Sequence, residues 1–200
     1  MRKAPRVIAI VLGFLALGAP SGSFGAGILV GVKGGATLAN LTGEDVFNNS
    51  MSPGATGGAF ARYPLSDMFS LQPEVLFAMK GAEYKVGDIE AEQKIDCIDV
   101  PVLVRLIWKN ESQFEPSLLV GPVVGFLLDN EITDGQEIDL EDGSKSTDFG
   151  LIVGAGLDYK LGNDAVLLDV RYERGLTSWL EDLDVKNSAV SIMIGYGKKF

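Results

Sequence analysis

The chain has 200 residues, 46% of them hydrophobic, with 25 glycines, one cysteine, no histidine and a formal charge of −10. That length suits a single domain, and so acidic a chain lacks the clustered lysine and arginine that nucleic-acid phosphates require. Cys97 alone excludes an intrachain disulfide or a thiolate metal cluster, and without histidine it has no usual partner as a nucleophile.

Residues 1–25 read as an export signal. Arg2, Lys3 and Arg6 form a basic start, residues 7–19 are apolar, and Pro20 and Gly22 break the run. Ser23 and Gly25 put small residues at the −3 and −1 positions, so cleavage is expected after Gly25 or Ala26, leaving a mature domain over 26–200. The apolar run is about 13 residues, short of the roughly 20 that span a bilayer as a helix. Removing those three of the 17 basic residues leaves 14 against 27 acidic ones. No later run is long and apolar enough for a helical span, so residence in a membrane would require a barrel.

The mature chain reads as eight strands. Residues 28–38 place Ile28, Val30 and Val32 opposite Gly31, Lys33 and Gly35. After a polar loop over 40–53, residues 54–63 put Gly58, Phe60 and Arg62 on one face. A turn at 64–67 leads to 69–81, where Leu71, Val75, Phe77 and Met79 oppose Gln72, Glu74 and Lys80. Pro73 is a blemish there, since proline removes a ladder donor. Residues 83–94 are a charged loop or strand extension. In 98–108, Ile98, Val100, Val102, Val104, Leu106 and Trp108 oppose Asp99, Leu103, Arg105 and Ile107. A turn at 109–113 precedes 114–128, with Leu118, Val120, Val124 and Phe126 opposite Ser117, Leu119 and Val123. The longest and most acidic loop, 129–147, follows.

Residues 148–175 form the clearest hairpin. Phe149, Leu151, Val153, Leu157 and Tyr159 share one face, with Asp148, Gly150, Ile152, Gly154, Gly156 and Asp158 on the other. In its second strand Val166, Leu168, Val170 and Tyr172 oppose Leu167, Asp169, Arg171 and Glu173. Such a period of two puts alternate side chains on opposite faces of a sheet. The turn Gly162-Asn163-Asp164 uses residues that tolerate positive φ. An acidic loop over 176–187 leads to the final strand, 189–200, where Val190, Ile192, Ile194, Tyr196 and Phe200 align.

The faces are inverted relative to a soluble sandwich, because glycine and charge share the side opposite the continuous apolar one. A membrane barrel has this arrangement, apolar toward lipid and polar or small inside. Its soluble counterpart would be a lipocalin-like carrier with an apolar interior. The connections alternate long and short, which gives an all-β, up-and-down antiparallel meander of eight strands with the long loops at one end. Eight strands enclose an interior that side chains can fill.

The stretches GVKGGATLANLTG (31–43), LQPEVLFAMKGAEY (71–84), IDVPVLVRL (98–106), PSLLVGPVVGFLL (116–128), DFGLIVGAGLDY (148–159) and VRYERGLTSW (170–179) resemble the PorT-like outer-membrane β-barrel domain family. The resemblance covers nearly all of the mature chain and implies a transmembrane barrel in a Gram-negative outer membrane. Phe200 is similar to the C-terminal aromatic that the barrel-assembly machinery reads, which implies that machinery as a partner during biogenesis. None of the matching motifs is catalytic. PorT itself is associated with secretion, but no residue here matches a functional one.

Nine charged residues are expected to face the lumen: Lys33, Arg62, Glu74, Lys80, Arg105, Asp158, Asp169, Arg171 and Glu173. Isolated charge in a narrow interior is very costly, so a paired network that closes the lumen is expected. A small pore or proton path along the same residues is the alternative. It would accord with a transport or secretion accessory, and its conductance would change when Arg105 or Glu74 is neutralised.

No enzymatic activity and no cofactor are expected. Asp169 and Glu173 lie roughly 13 Å apart along one strand, and Arg171 between them points to ion pairing rather than to paired acid–base work. The carboxylates of 129–148 do not follow a calcium-loop spacing. A solvated loop is expected there, with divalent bridging to lipopolysaccharide phosphates or a basic protein partner as alternatives. Trp179, Leu180 and Leu183 make 176–187 an adhesive tip or a flap over the mouth. Tyr63, Trp108, Tyr159, Tyr172, Tyr196 and Phe200, near strand ends, are read as aromatic girdles at the membrane interfaces. Outer-membrane lipid is the expected environment.

Overall fold

The structure is a computed structural model that describes residues 27–42, 49–86, 89–133, 137–139, 147–177 and 186–200. The export signal, the cleavage site, much of the loop over 129–147 and the tip of 176–187 lie outside the described residues. The strands are β1 (Leu29–Thr42), β2 (Asn49–Pro64), β3 (Phe69–Val86), β4 (Ile89–Ile107), β5 (Phe114–Thr133), β6 (Glu137–Asp139), β7 (Thr147–Leu161), β8 (Asp164–Gly175) and β9 (Lys186–Lys199).

Eight of them close into one antiparallel barrel in the order β4-β3-β2-β1-β9-β8-β7-β5, with β4 pairing β5 to complete the ring. The three-residue β6 pairs with the far end of β5, Ile132 opposite Ile138, and extends that strand beyond the ring. Closure brings the first and last strands together, Val32 opposite Tyr196 and Ala36 opposite Ile192. A sheet closed on itself has no unpaired edge.

All eight predicted strands are present, and several run further than their hydrophobic alternation, β2 to β5 among them. β2 begins at Asn49 rather than 54, β3 reaches Val86, β4 starts at Ile89, and β5 continues to Thr133. Residues 83–94 are thus largely strand, and Val86 pairs directly with Ile89. The physical reason is that main-chain pairing needs no apolar side chains. Alternation marks only the stretch where one face meets an apolar medium, and the ladder persists past it.

The short connections are locally determined. In the turn over 65–68, Ser66 Oγ accepts from Phe69 N at 3.1 Å. In 108–113, Asn110 Oδ1 accepts from Ser112 N at 2.9 Å and Ser112 Oγ from Phe114 N at 3.1 Å. The β7–β8 turn is shorter than the sequence reading. Only Gly162 and Asn163 lie in it, because Asp164 already pairs with Leu161 as the first residue of β8. Gly162 has φ of 70°, the left-handed region that a two-residue hairpin loop requires.

Pro73, Pro101 and Pro122 lie on three adjacent strands, and each coincides with a gap in a ladder. β2–β3 pairing skips from Phe60–Glu74 to Tyr63–Leu71, passing Pro73. β3–β4 pairing skips from Pro73–Val102 to Leu76–Asp99, passing Pro101. β4–β5 pairing skips from Pro101–Val123 to Val104–Val120, passing Pro122. The missing N–H donor explains each interruption.

The two faces fall as the alternation predicts. Outward positions stay exposed although apolar, including Val32 (62%), Ile192 (55%) and Ile194 (63%). A contiguous apolar surface of this extent is stable only against a non-aqueous medium. Inward positions hold two small apolar clusters, Leu29, Phe60, Ala165 and Leu167 near the short-turn end and Leu103, Leu119, Val123 and Ile152 along the β4–β7 wall. Between and above them the interior is charged. That overturns the lipocalin-like alternative, which needs an apolar lumen.

Candidate functional site: the charged lumen

Each inward charge sits at a position that strand parity assigns to the lumen, and closure of the ring brings residues far apart in sequence to the same level. A central layer is built around two carboxylates. Lys33 Nζ, from β1, lies 2.9 Å from Glu74 Oε1 on β3 and 2.8 Å from Asp169 Oδ2 on β8. Arg171 Nη1 and Nη2 each donate to a Glu74 oxygen at 2.7 Å, a two-pronged contact, and Nη2 also reaches Asp169 Oδ2 at 2.8 Å. Such forked guanidinium–carboxylate pairing is among the stronger hydrogen-bonded arrangements. Lys33 Nζ also stands 4.8 Å from the centre of the Phe60 ring.

Toward the short turns the layer continues through Asp158 on β7. Its Oδ1 lies 3.0 Å from Arg105 Nη2, and its Oδ2 pairs with Arg62 Nη1. Arg105 Nη2 also stands 3.0 Å from Asp169 Oδ1. Gln72 Oε1 accepts from Arg62 Nε at 2.7 Å, and Gln72 Nε2 donates to Glu74 Oε1 at 2.5 Å. Arg105 Nε donates to Ser117 Oγ at 3.0 Å, and Ser117 Oγ donates to Gly156 O at 3.2 Å. Below this layer an open bowl of about 900 Å³ at the short-turn end is lined by Arg62, Ser70 and Asp158.

A separate outer layer lies toward the long loops. Lys80 Nζ is 2.7 Å from Asp99 Oδ2 and 2.6 Å from Glu173 Oε1. Cys97 Sγ, fully buried, is 3.5 Å from Asp99 Oδ1 and from Ala78 O. Asp148 Oδ1 accepts from Thr177 Oγ1 at 2.5 Å at the mouth. A void of about 30 Å³ separates the two layers.

All nine residues singled out from the sequence therefore point inward. Lys33, Arg62, Glu74, Arg105, Asp158, Asp169 and Arg171 meet in the central layer, and Lys80 and Glu173 meet in the outer one. One pairing differs from the sequence expectation. Arg171 joins Asp169 but not Glu173, because Glu74 from across the lumen takes its other prong while Lys80 takes Glu173. Alternation also placed Asp99, Gln72, Ser117 and Asp148 inward without marking them as members of the network. The signal was their parity, and what was missing was the partner each would meet.

Gly156 shows how tightly the central layer is cut. A Cβ there would stand 2.1 Å from Arg105 Nη2, 2.6 Å from Asp169 Oδ1 and 2.9 Å from Ser117 Oγ. Those atoms are held by ion pairs and hydrogen bonds that oppose their swinging aside. Gly156→Ala is expected to destabilise the barrel by about 1–3 kcal/mol, the usual cost of overpacking, read as a lower urea midpoint in detergent or lipid.

The aromatics distribute unevenly. Tyr63, Trp108, Tyr159, Tyr196 and Phe200 lie toward the short-turn end, joined by Phe69 and by Phe114, whose ring centroid is 4.9 Å from that of Tyr159. Tyr172 lies toward the other end, where its hydroxyl accepts from Ser188 Oγ at 3.1 Å. Among the described residues no group of three or more carboxylate, cysteine or histidine side chains is arranged to hold a metal ion. The side chains of the acidic loop over 129–146, and with them the divalent-cation reading, lie outside the described residues.

A family profile described as "Outer membrane protein beta-barrel domain" matches residues 20–181. Among solved structures the chain is similar to the outer membrane protein OprG from Pseudomonas aeruginosa, at 18% identity and a TM-score of 0.59, covering 88% of this chain and 96% of that one. It is also similar to Neisserial surface protein A, at 16% identity and a TM-score of 0.54, covering 86% and 97%. Among curated protein sequences none matches the chain.

Proposed function

The chain belongs to the outer membrane protein β-barrel domain family, and from that premise we propose that it is a non-enzymatic barrel with a sealed lumen. Its role is structural or interactive and is carried by one end of the barrel, to which residues 40–53, the extended β3–β4 hairpin over 83–94, 129–147 and 176–187 belong. The PorT-like branch suggested by the strand motifs remains part of this reading, as do export with cleavage near Gly25, assembly by the barrel-assembly machinery, contact with lipopolysaccharide and a protein partner at the loops.

The observation that carries it is ion pairing within the two layers, Asp148 at the mouth being held by Thr177 instead. Five inward cations, Lys33, Arg62, Lys80, Arg105 and Arg171, pair with five inward carboxylates, Glu74, Asp99, Asp158, Asp169 and Glu173. Arg105, Gln72, Glu74 and Asp169 are all at most 2% exposed. A layer in which every cation is ion-paired supports a plug rather than an ion path, because a permeating ion would have to replace pairs that already exist. The absence of histidine from the sequence supports the non-enzymatic reading.

The test is reconstitution into planar bilayers after recovery from the outer-membrane fraction. No unitary conductance above leak is expected, and Glu74→Gln or Arg105→Gln should leave it at leak. A steady ohmic conductance that shifts with either substitution would overturn the plug in favour of a narrow pore or transport accessory.

A further inference from the structure

The void of about 30 Å³ between the two ion-pair layers has a mixed wall: Leu76, Ala78, Pro101, Ile152, Ala189 and Met193 give it mostly apolar surface, and Thr37, Thr56, Ser191, Asp99, Arg171 and Glu173 place polar groups around it. A cavity takes up a water when it offers roughly 10–15 Å³ of such space and two to four polar partners. One lining residue also carries a buried atom that lacks a partner in the protein. The Arg171 side chain is 2% exposed, both its terminal nitrogens are engaged, and its Nε has no hydrogen-bond acceptor. The threonines present the complementary chemistry. Thr37 Oγ1 donates to Val190 O at 3.3 Å and Thr56 Oγ1 to Phe77 O at 3.2 Å, which leaves their lone pairs free to accept.

We propose that this void is a fixed-water site. One or two waters accept from Arg171 Nε and donate to the Glu173 carboxylate and the threonine hydroxyls, joining the central and outer layers into one network. A bridging water is enthalpically nearly as good as a direct bond, and leaving the buried Nε unmade would be costly. A metal cation is disfavoured because Lys80 and Arg171 line the same space. The inference rests on the sealed-lumen reading, since only a closed plug retains the water.

The test is water-to-amide magnetisation transfer by NMR on the full chain folded in lipid. Bound-water cross-peaks are expected at Thr37, Thr56 and Ser191. Ala189, 5% exposed, lines the void, so Ala189→Val should fill it and abolish them. Thr56→Val, nearly isosteric, should weaken the Thr37 cross-peak at least twofold, which keeps the test decisive if Ala189→Val fails to fold. No cross-peaks in the natural sequence, or cross-peaks indifferent to both substitutions, would overturn the water site. A dry lumen without conductance would remove the water and leave the plug standing, whereas ohmic conductance would overturn the plug itself.

Discussion

Replacing Glu74 with alanine is expected to cost about 3–5 kcal/mol of barrel stability, the range for breaking one side of a buried ion pair. Glu74 accepts both prongs of Arg171 and also holds Lys33 and Gln72. Its loss strands two cations in a lumen where neither reaches bulk solvent. Asp169 alone cannot neutralise them, because Arg105 already shares it. The penalty therefore comes from leaving charges unpaired and not from losing a favourable bond, which gives a second arm. Glu74→Gln keeps the shape but removes the charge, and it should cost nearly as much as alanine. Urea unfolding in lipid vesicles, followed by the mobility difference between unboiled and boiled samples, reads both. A midpoint for Glu74→Ala within about 1 kcal/mol of the natural sequence would mean that the central layer is hydrated and screened.

Val170→Arg is the second large effect. Val170 lies midway along β8, is 45% exposed and faces outward between Ala155 and Ile192. An arginine on the lipid face near the midplane costs about 2–4 kcal/mol, falling to about 0–1 near the interfaces. Leu161→Arg, at the short-turn end of β7 and 48% exposed, supplies the comparison. The expected result is a clear gap between the two substitutions in lipid. Equal, small effects would show that Val170 does not meet hydrocarbon. The sign of this prediction opposes that for Glu74: on the outer wall an added charge destabilises, while inside a removed one does.

Strand identity and the direction of each side chain were determined by the sequence alone. Both follow from a local property, the two-residue repeat of an extended chain, so Lys33, Arg105 and Arg171 could be placed inward from their immediate neighbours. The inverted distribution of glycine and charge likewise marked the apolar side as the outer one. Strand length was less legible, since the ladders of β3, β4 and β5 outlast the alternation that reveals them.

Only the tertiary structure decided which charge meets which. Lys33 reaches Glu74 across 41 residues and Asp169 across 136. Those meetings depend on how far each strand is staggered when β1 closes on β9, a global quantity that no local pattern records. The same stagger divides the charges into two layers, sends Glu173 to Lys80 rather than to Arg171, and leaves Arg171 Nε beside a water-sized gap.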